Sequence, residues 1–158
     1  MEITNCDSAG LAEIRAGITA FWGSDRTLYL HHPMLVYEFG NTAFVIKHEG
    51  EIVAYLFGFF SQVESLAYVH LVAVREDYKR QGLGKKLYDH FMAVAAAQQV
   101  KRLKAITSTD NLRSVAFHTQ QIGMQMQGEL TDSGIRIVKD YSGPGQDRIV
   151  FEKEIGSV

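Results

Sequence analysis

Val72-Ala73-Val74-Arg75-Glu76-Asp77-Tyr78-Lys79-Arg80-Gln81-Gly82-Leu83-Gly84-Lys85-Lys86-Leu87 joins three kinds of chain. The apolar run 66–74 reads as a strand, the charged residues after it as a turn, and the stripe that begins at Leu83 as an amphipathic helix. A strand, a basic loop with two glycines one residue apart, and a helix start predict an anion cradle. Glycine lets the backbone approach a ligand, the first N–H groups of a helix point outward, and the helix dipole favours negative charge there. Lys79, Arg80, Lys85 and Lys86 add positive charge around it.

The spacing disfavours two familiar phosphate loops. A Walker loop needs glycine five residues before its Gly-Lys pair, where Lys79 stands, and Ser or Thr after Lys85, where Lys86 stands. A dinucleotide fingerprint needs a third glycine at position 87, which is Leu87. A nucleotide-binding protein is therefore disfavoured.

One domain is expected from 158 residues, and 46% apolar residues suffice for a core. Sixteen basic against eighteen acidic side chains leave a formal charge of −2, which argues against nucleic acid as a partner. The lone cysteine, Cys6, has no internal disulfide partner and reads as a small buried residue; no Cys/His cluster has zinc spacing, so no metal is expected. The N-terminus lacks the features of a signal peptide, and no run reaches the ~18 apolar residues of a membrane span. The expectation is a cytoplasmic protein with no membrane partner.

Asp7-Ser8 reads as a helix cap, and Leu11, Ile14, Ile18 and Phe21 recur at helical spacing up to Gly23. Residues 25–40 carry His31-His32-Pro33 and read as a loop with a short helical turn near 34–38; the histidines are either surface residues or part of a pocket wall. Residues 42–48 and 52–60, β-branched and aromatic, flank Glu49-Gly50-Glu51 and predict an antiparallel hairpin, with strand 66–74 next. Leu83, Leu87, Phe91 and Val94 mark the buried stripe of the following helix. Strand 102–108 then lies parallel to 66–74 by a right-handed crossover. The last long helix is expected over 111–122, capped by Ser108 or Asp110 and closed by Gly123. Final strands are expected at 124–128 and 148–154, with a further one at 135–138 in a turn-rich stretch.

On that last helix Asn111, Ser114 and His118 stand at i, i+3 and i+7, a polar face beside Leu112, Val115, Thr119 and Ile122. The two stretches together resemble the GNAT acetyltransferase superfamily. Its cofactor motif is an apolar strand, a charged turn, then Arg/Gln-x-x-Gly-x-Gly/Ala opening a helix. Lys79-Arg80-Gln81-Gly82-Leu83-Gly84 fits, with Lys79 in the first position. Its later motif often runs Asn-x-x-Ala/Ser-x-x-Phe-Tyr-x-x-x-Gly-Phe; here Asn111, Ser114, Phe117, Gly123 and Met124 stand at those places, with His118 where tyrosine is usual. The resemblance covers about residues 40–128.

The resemblance implies an α/β (α+β) fold, a central mixed and mostly antiparallel sheet of about six to seven strands flanked by helices. It implies transfer of an acetyl or short acyl group from acetyl-CoA to a primary amine, on a small molecule or a peptide, by direct attack on the thioester. The pyrophosphate is then expected on the amides of Arg80, Gln81, Gly82, Leu83, Gly84 and Lys85, beside Lys79. The pantetheine arm is expected along Val72, Ala73 and Val74, with Asn111, Ser114 and Phe117 completing the cofactor set. His118 reads either as the acid for the leaving thiolate, competent if its pKa is modestly raised from about 6.5, or as a histidine covering a neighbouring apolar face. An alkylammonium must lose a proton before attack. His70, which shares a strand face with Tyr68, Val72 and Val74, is the first candidate base, with Tyr68 a helper and Glu64 an outside candidate. His70 reads alternatively as a satisfied core histidine, and His90 as structural. The acceptor pocket is expected from 21–39 and 135–146, with His31, Asp140 and Tyr141 as wall residues. A homodimer is the family habit. The alternative is a non-catalytic CoA-binding sensor or assembly module of the same fold, which the His118 exchange leaves open.

Overall fold

The computed structural model describes residues 1–156. Its contacts divide into two compact units, Met1–Phe59 with Val69–Phe91, and Phe60–Tyr68 with Met92–Val158. In the first unit the chain forms β1 (Ile3–Asn5), α1 (Ser8–Ala16), α2 (Ile18–Trp22), α3 (Met34–Tyr37), β2 (Ala43–His48) and most of β3 (Glu51–Phe60). Asp7 caps α1 by accepting the Gly10 N–H at 2.7 Å, which satisfies one of the donors a helix start leaves open. The single helix expected up to Gly23 breaks at Gly17 (φ −100°, ψ 21°). Ile18 and Phe21 nevertheless stay buried, and Gly23, left-handed, ends α2.

The predicted hairpin is β2–β3, turned through Glu49 (φ 52°) and Gly50 (φ 83°). Two successive positive φ angles match the right-handed twist of the flanking strands. β1, which the sequence reading did not foresee, pairs antiparallel with β2, Thr4 opposite Val45. β3 is buried along most of its length, and Tyr55 and Phe57 join Leu11, Ile14, Phe21, Leu35 and Leu71 in one core cluster. Each such side chain contributes roughly 1.5–3 kcal/mol by leaving water.

β4 (Leu66–Val74) follows; Val69, Leu71 and Ala73 are buried while Tyr68, His70, Val72 and Val74 are half-buried, the alternation a strand requires. α4 (Leu83–Ala97) buries Leu83, Leu87, Tyr88, Phe91 and Ala95. The expected stripe is corrected at its end: Ala95 is buried and Val94 only half-buried. His90 packs edge-on against Phe44 at 4.7 Å between ring centroids, a structural contact.

The second unit contains β5 (Arg102–Thr107), α5 (Leu112–Ala116), β6 (Gln125–Met126), β7 (Glu129–Leu130), β8 (Arg136–Ile137) and β9 (Ile149–Glu154). The Arg102 N–H donates to the carbonyl of Ser65, just before β4, at 3.2 Å. The heads of β4 and β5 therefore meet, the parallel relation expected of a crossover. β9 runs antiparallel to both β5 and β6, with Phe151 opposite Ala105 and Met126. Seven strands hydrogen-bond in the order β1-β2-β3-β4-β5-β9-β6, mixed and mostly antiparallel, and β7 with β8 forms a separate ribbon.

Two expectations for the last helix are corrected. Its cap is Asn111, whose side chain accepts the Ser114 N–H at 3.1 Å, rather than Ser108 or Asp110, which bond each other. After Ala116 the helix continues as a π-helical turn over Phe117–Ile122 before Gly123 closes it. The wider turn shifts the periodicity, so Leu112 lies 61% exposed and His118 is buried.

Candidate active site

The charged turn after β4 is bolted by Arg75. Its backbone N–H donates to Val53, and its guanidinium donates twice to the Asp77 carboxylate, at 3.1 and 2.8 Å, and once to Glu51 at 3.1 Å. These bonds hold the Asp77 carboxyl below its usual range. A 3₁₀ turn over Glu76–Tyr78 lies under the guanidinium, 5.3 Å from the Tyr78 ring centre. Lys79 is extended, Arg80 (φ 65°) and Gly82 (φ 75°) are left-handed, and α4 begins. Left-handed backbone at a non-glycine residue costs roughly 1–2 kcal/mol, and it is retained here where the turn must curl its amides inward.

The result is an open ring of donors. Lys86 makes the first α-helical bond, to Gly82 O, and among the described residues no turn or cap bond occupies the N–H groups of 80–85. A Cβ at Gly82, itself exposed, would meet nothing within 4 Å, so the turn is open at that residue. Around the ring, Lys79 pairs with Glu76 and Lys85 with Asp89, each at 2.7 Å, and Lys86 donates to the Met1 carbonyl. The Arg80 side chain is exposed and makes no ion pair among the described residues. Oriented amides at a helix start, with a cation at hand, suit a diphosphate such as that of coenzyme A.

On β4 the candidate bases differ in environment. The ring Nε2 of His70 lies 3.3 Å from the Leu30 carbonyl, and burial lowers its pKa, so the ring is neutral at pH 7. His70 is half-buried rather than a core residue. Burial raises the Tyr68 hydroxyl to about 12, keeping its proton. Glu64 is exposed and accepts from Arg102 at 2.9 Å, in a surface ion pair shared with Glu152.

On the last helix Asn111 also donates to Thr107 Oγ1 at 3.2 Å, so its amide organises the helix entry. His118 stacks on Phe151 with ring centroids 4.5 Å apart and lies 5.1 Å from Phe117. Its Nδ1 sits 2.8 Å from the Ser114 carbonyl and 3.0 Å from the Ser114 hydroxyl. A carbonyl only accepts, which assigns the proton to Nδ1 and a lone pair to Nε2. Burial pushes the ring down to about 4, opposite to the raised pKa that an acid for the thiolate requires.

One expected wall residue is corrected. His31 is fully buried, its ring held between Thr27 O and the Tyr55 hydroxyl, because the 28–31 turn folds inward onto β3. The Asp140 carboxylate accepts the Gly145 N–H at 2.7 Å and closes its own loop. Tyr141 remains exposed, with Lys104 Nζ 4.9 Å from its ring centre. The sequence reading missed Arg75 as the bolt of the turn; its signal was a lone arginine at a strand end with acidic residues next to it. Among the described residues no group of side chains has the makings of a metal site, and no helix is long and apolar enough to cross a membrane.

A profile described as the Acetyltransferase (GNAT) family matches residues 11–124, and the chain belongs to that family. Acyl transfer is the family's reaction and acetyl-CoA its donor. Comparison with curated proteins returns no match. Among solved structures, the chain is similar to the ribosomal-protein-S18-alanine N-acetyltransferase of Escherichia coli, with TM-score 0.73, 18% identity, and 99% of this chain and 95% of that one covered. It is similar to the ribosomal-protein-alanine N-acetyltransferase of Brucella melitensis, with TM-score 0.68, 21% identity and 98% and 100% covered. It is also similar to an aminoglycoside 6'-N-acetyltransferase complexed with coenzyme A, with TM-score 0.66, 12% identity and 98% and 97% covered. At these identities the likeness is one of fold.

Proposed function

We propose that this chain moves an acetyl or short acyl group from acetyl-CoA to a primary amine, on a peptide or a small molecule, by direct attack on the thioester. The observation that carries the reading is the run of amides at 80–85 that no turn or cap bond occupies among the described residues, with open space at Gly82. Those amides hold the pyrophosphate, with Lys79 and Arg80 supplying charge, while the backbone of Val72, Ala73 and Val74 takes the pantetheine arm. Asn111, Ser114 and Phe117 complete the cofactor set by resemblance.

His70, neutral at pH 7, takes the proton from the incoming ammonium, and Tyr68, its hydroxyl intact, donates a hydrogen bond. The amine nitrogen then bonds the acyl carbon and gives up a second proton to solvent as the carbon–sulfur bond breaks, and the thiolate leaves and is protonated by solvent. His118, neutral with its proton on Nδ1, packs on Phe151 and steadies its own helix rather than serving as the acid.

Two measurements test this. Arg80→Glu with Gly82→Asp places carboxylates in the ring and abolishes coenzyme A binding by calorimetry; unchanged affinity rejects the cofactor assignment. Thiol release from acetyl-CoA is expected to depend on an added amine, assayed with an N-terminal alanine peptide, a polyamine and an aminoglycoside. Tight coenzyme A binding with no amine-dependent release across a wide amine panel marks a sensor instead.

A further inference from the structure

Behind His70, within the first unit, lies a buried polar chain that the reaction scheme leaves unused. His31 Nδ1 lies 2.8 Å from the Thr27 carbonyl and His31 Nε2 2.7 Å from the Tyr55 hydroxyl. The carbonyl only accepts, so His31 carries its proton on Nδ1, and its Nε2 accepts from Tyr55 O–H. The Tyr55 oxygen in turn accepts the Trp22 Nε1–H at 2.7 Å. Every donor in this run has an acceptor and the order of donation is fixed. A second proton on His31 would leave the buried Tyr55 hydroxyl without an acceptor there, and burial already lowers the His31 pKa.

The chain ends on a backbone turn. The His31 carbonyl accepts from Arg15 Nη1 at 2.9 Å, and the His31 N–H donates to Leu28 O at 3.0 Å. His31 is therefore held at its ring, its N–H and its carbonyl. The next carbonyl back, that of Leu30, is the one 3.3 Å from His70 Nε2. It too can only accept, so it draws the His70 proton to Nε2 and leaves the lone pair on Nδ1.

We propose that Tyr55, acting through His31, is a positioning residue for His70: it fixes the Leu30 carbonyl, which selects the Nε2–H tautomer of His70 and makes Nδ1 its basic atom. His31 is the titratable group facing His70 from the 27–31 turn, and Arg15 is the cation from α1, tied to the His31 carbonyl. The catalytic consequence rests on the reading of His70 as the base; the tautomer does not.

The test needs no acceptor. In the full chain with ¹⁵N-labelled histidine, long-range ¹H–¹⁵N spectra are expected to show His70 as the Nε2–H tautomer. The Leu30 bond raises the His70 pKa, against a larger lowering by burial. Tyr55→Phe, which keeps the ring and removes the hydroxyl, is expected to mix the tautomers and to move the His70 titration midpoint to lower pH. His32→Ala, at an exposed neighbour, is expected to change neither. An Nδ1–H tautomer in the parent chain overturns the inference, as does a Tyr55→Phe variant whose His70 tautomer and midpoint are unmoved. With an amine that turns over, Tyr55→Phe is expected to lower kcat/KM about tenfold, part of the ~10²–10⁴-fold a general base supplies, and to move the acid limb to lower pH. If His70→Ala keeps that limb, the base assignment fails while the tautomer result stands.

Discussion

The stacked ring of His118 makes the stability of the fold fall in mild acid. Its pKa is lowered from 6.5 to about 4 by burial against Phe151, with the Ser114 carbonyl opposing part of the effect. Above pH 6.5 neither the folded nor the unfolded chain holds the proton, and the residue contributes no pH dependence. As pH falls below 6.5 the unfolded chain takes the proton and the folded one does not, so stability drops, and the drop levels off below about pH 4. Integrated from pH 7.5 to pH 4, the loss is about 3 kcal/mol. His118→Phe keeps an aromatic ring on Phe151 and removes the titration, at a cost of about 1 kcal/mol for the lost hydrogen bond. In denaturant unfolding the parent is expected to be the more stable at pH 7.5 and the variant at pH 4. A stability difference that stays the same at both pH values would refute the argument.

Other substitutions probe the rest of the chain. Gly82→Ala keeps the turn open but strains a residue at φ 75°, with an expected loss of roughly 1–2 kcal/mol and weaker coenzyme A binding, read by thermal melting and calorimetry. At Gly128 a Cβ would lie 2.1 Å from the Ile137 carbonyl oxygen, so Gly128→Ala is expected to open the β7–β8 ribbon, seen as faster amide exchange there. Asn111→Ala removes the cap of α5 and is expected to cost about 1 kcal/mol, with Asn111→Asp restoring most of it in unfolding experiments. Cys6 is buried and its thiol pushed up to about 12, so a thiol reagent should label it only in denaturant; rapid labelling of the native chain would contradict its place in the core.

What was legible in the sequence was local. β4 was read at its observed bounds because a run of β-branched and apolar residues ends at a charged turn, and the turn before α4 was legible because Gly82 takes a left-handed backbone that most residues avoid. The β2–β3 hairpin carried its own turn signal in Glu49-Gly50. β1 and β7 were missed because three or two residues show no periodicity; they are strands only because a partner strand supplies their hydrogen bonds. His31-His32-Pro33 looked polar and therefore exposed, yet the ring of His31 finds two partners inside the core.

Two motifs at family spacing were enough to mark the chain as an acyltransferase of the GNAT family, since the type and order of residues near a helix start dictate what the backbone can hold. The protonation states were decided by burial together with the carbonyl that each ring meets. Whether a histidine is an acid, a base or a packed ring depends on which carbonyl faces it and how much water reaches it. The carbonyl comes from a distant residue for His70, Leu30, and from four residues back for His31 and His118, Thr27 and Ser114, while the distant partners of those two rings are Tyr55 and Phe151.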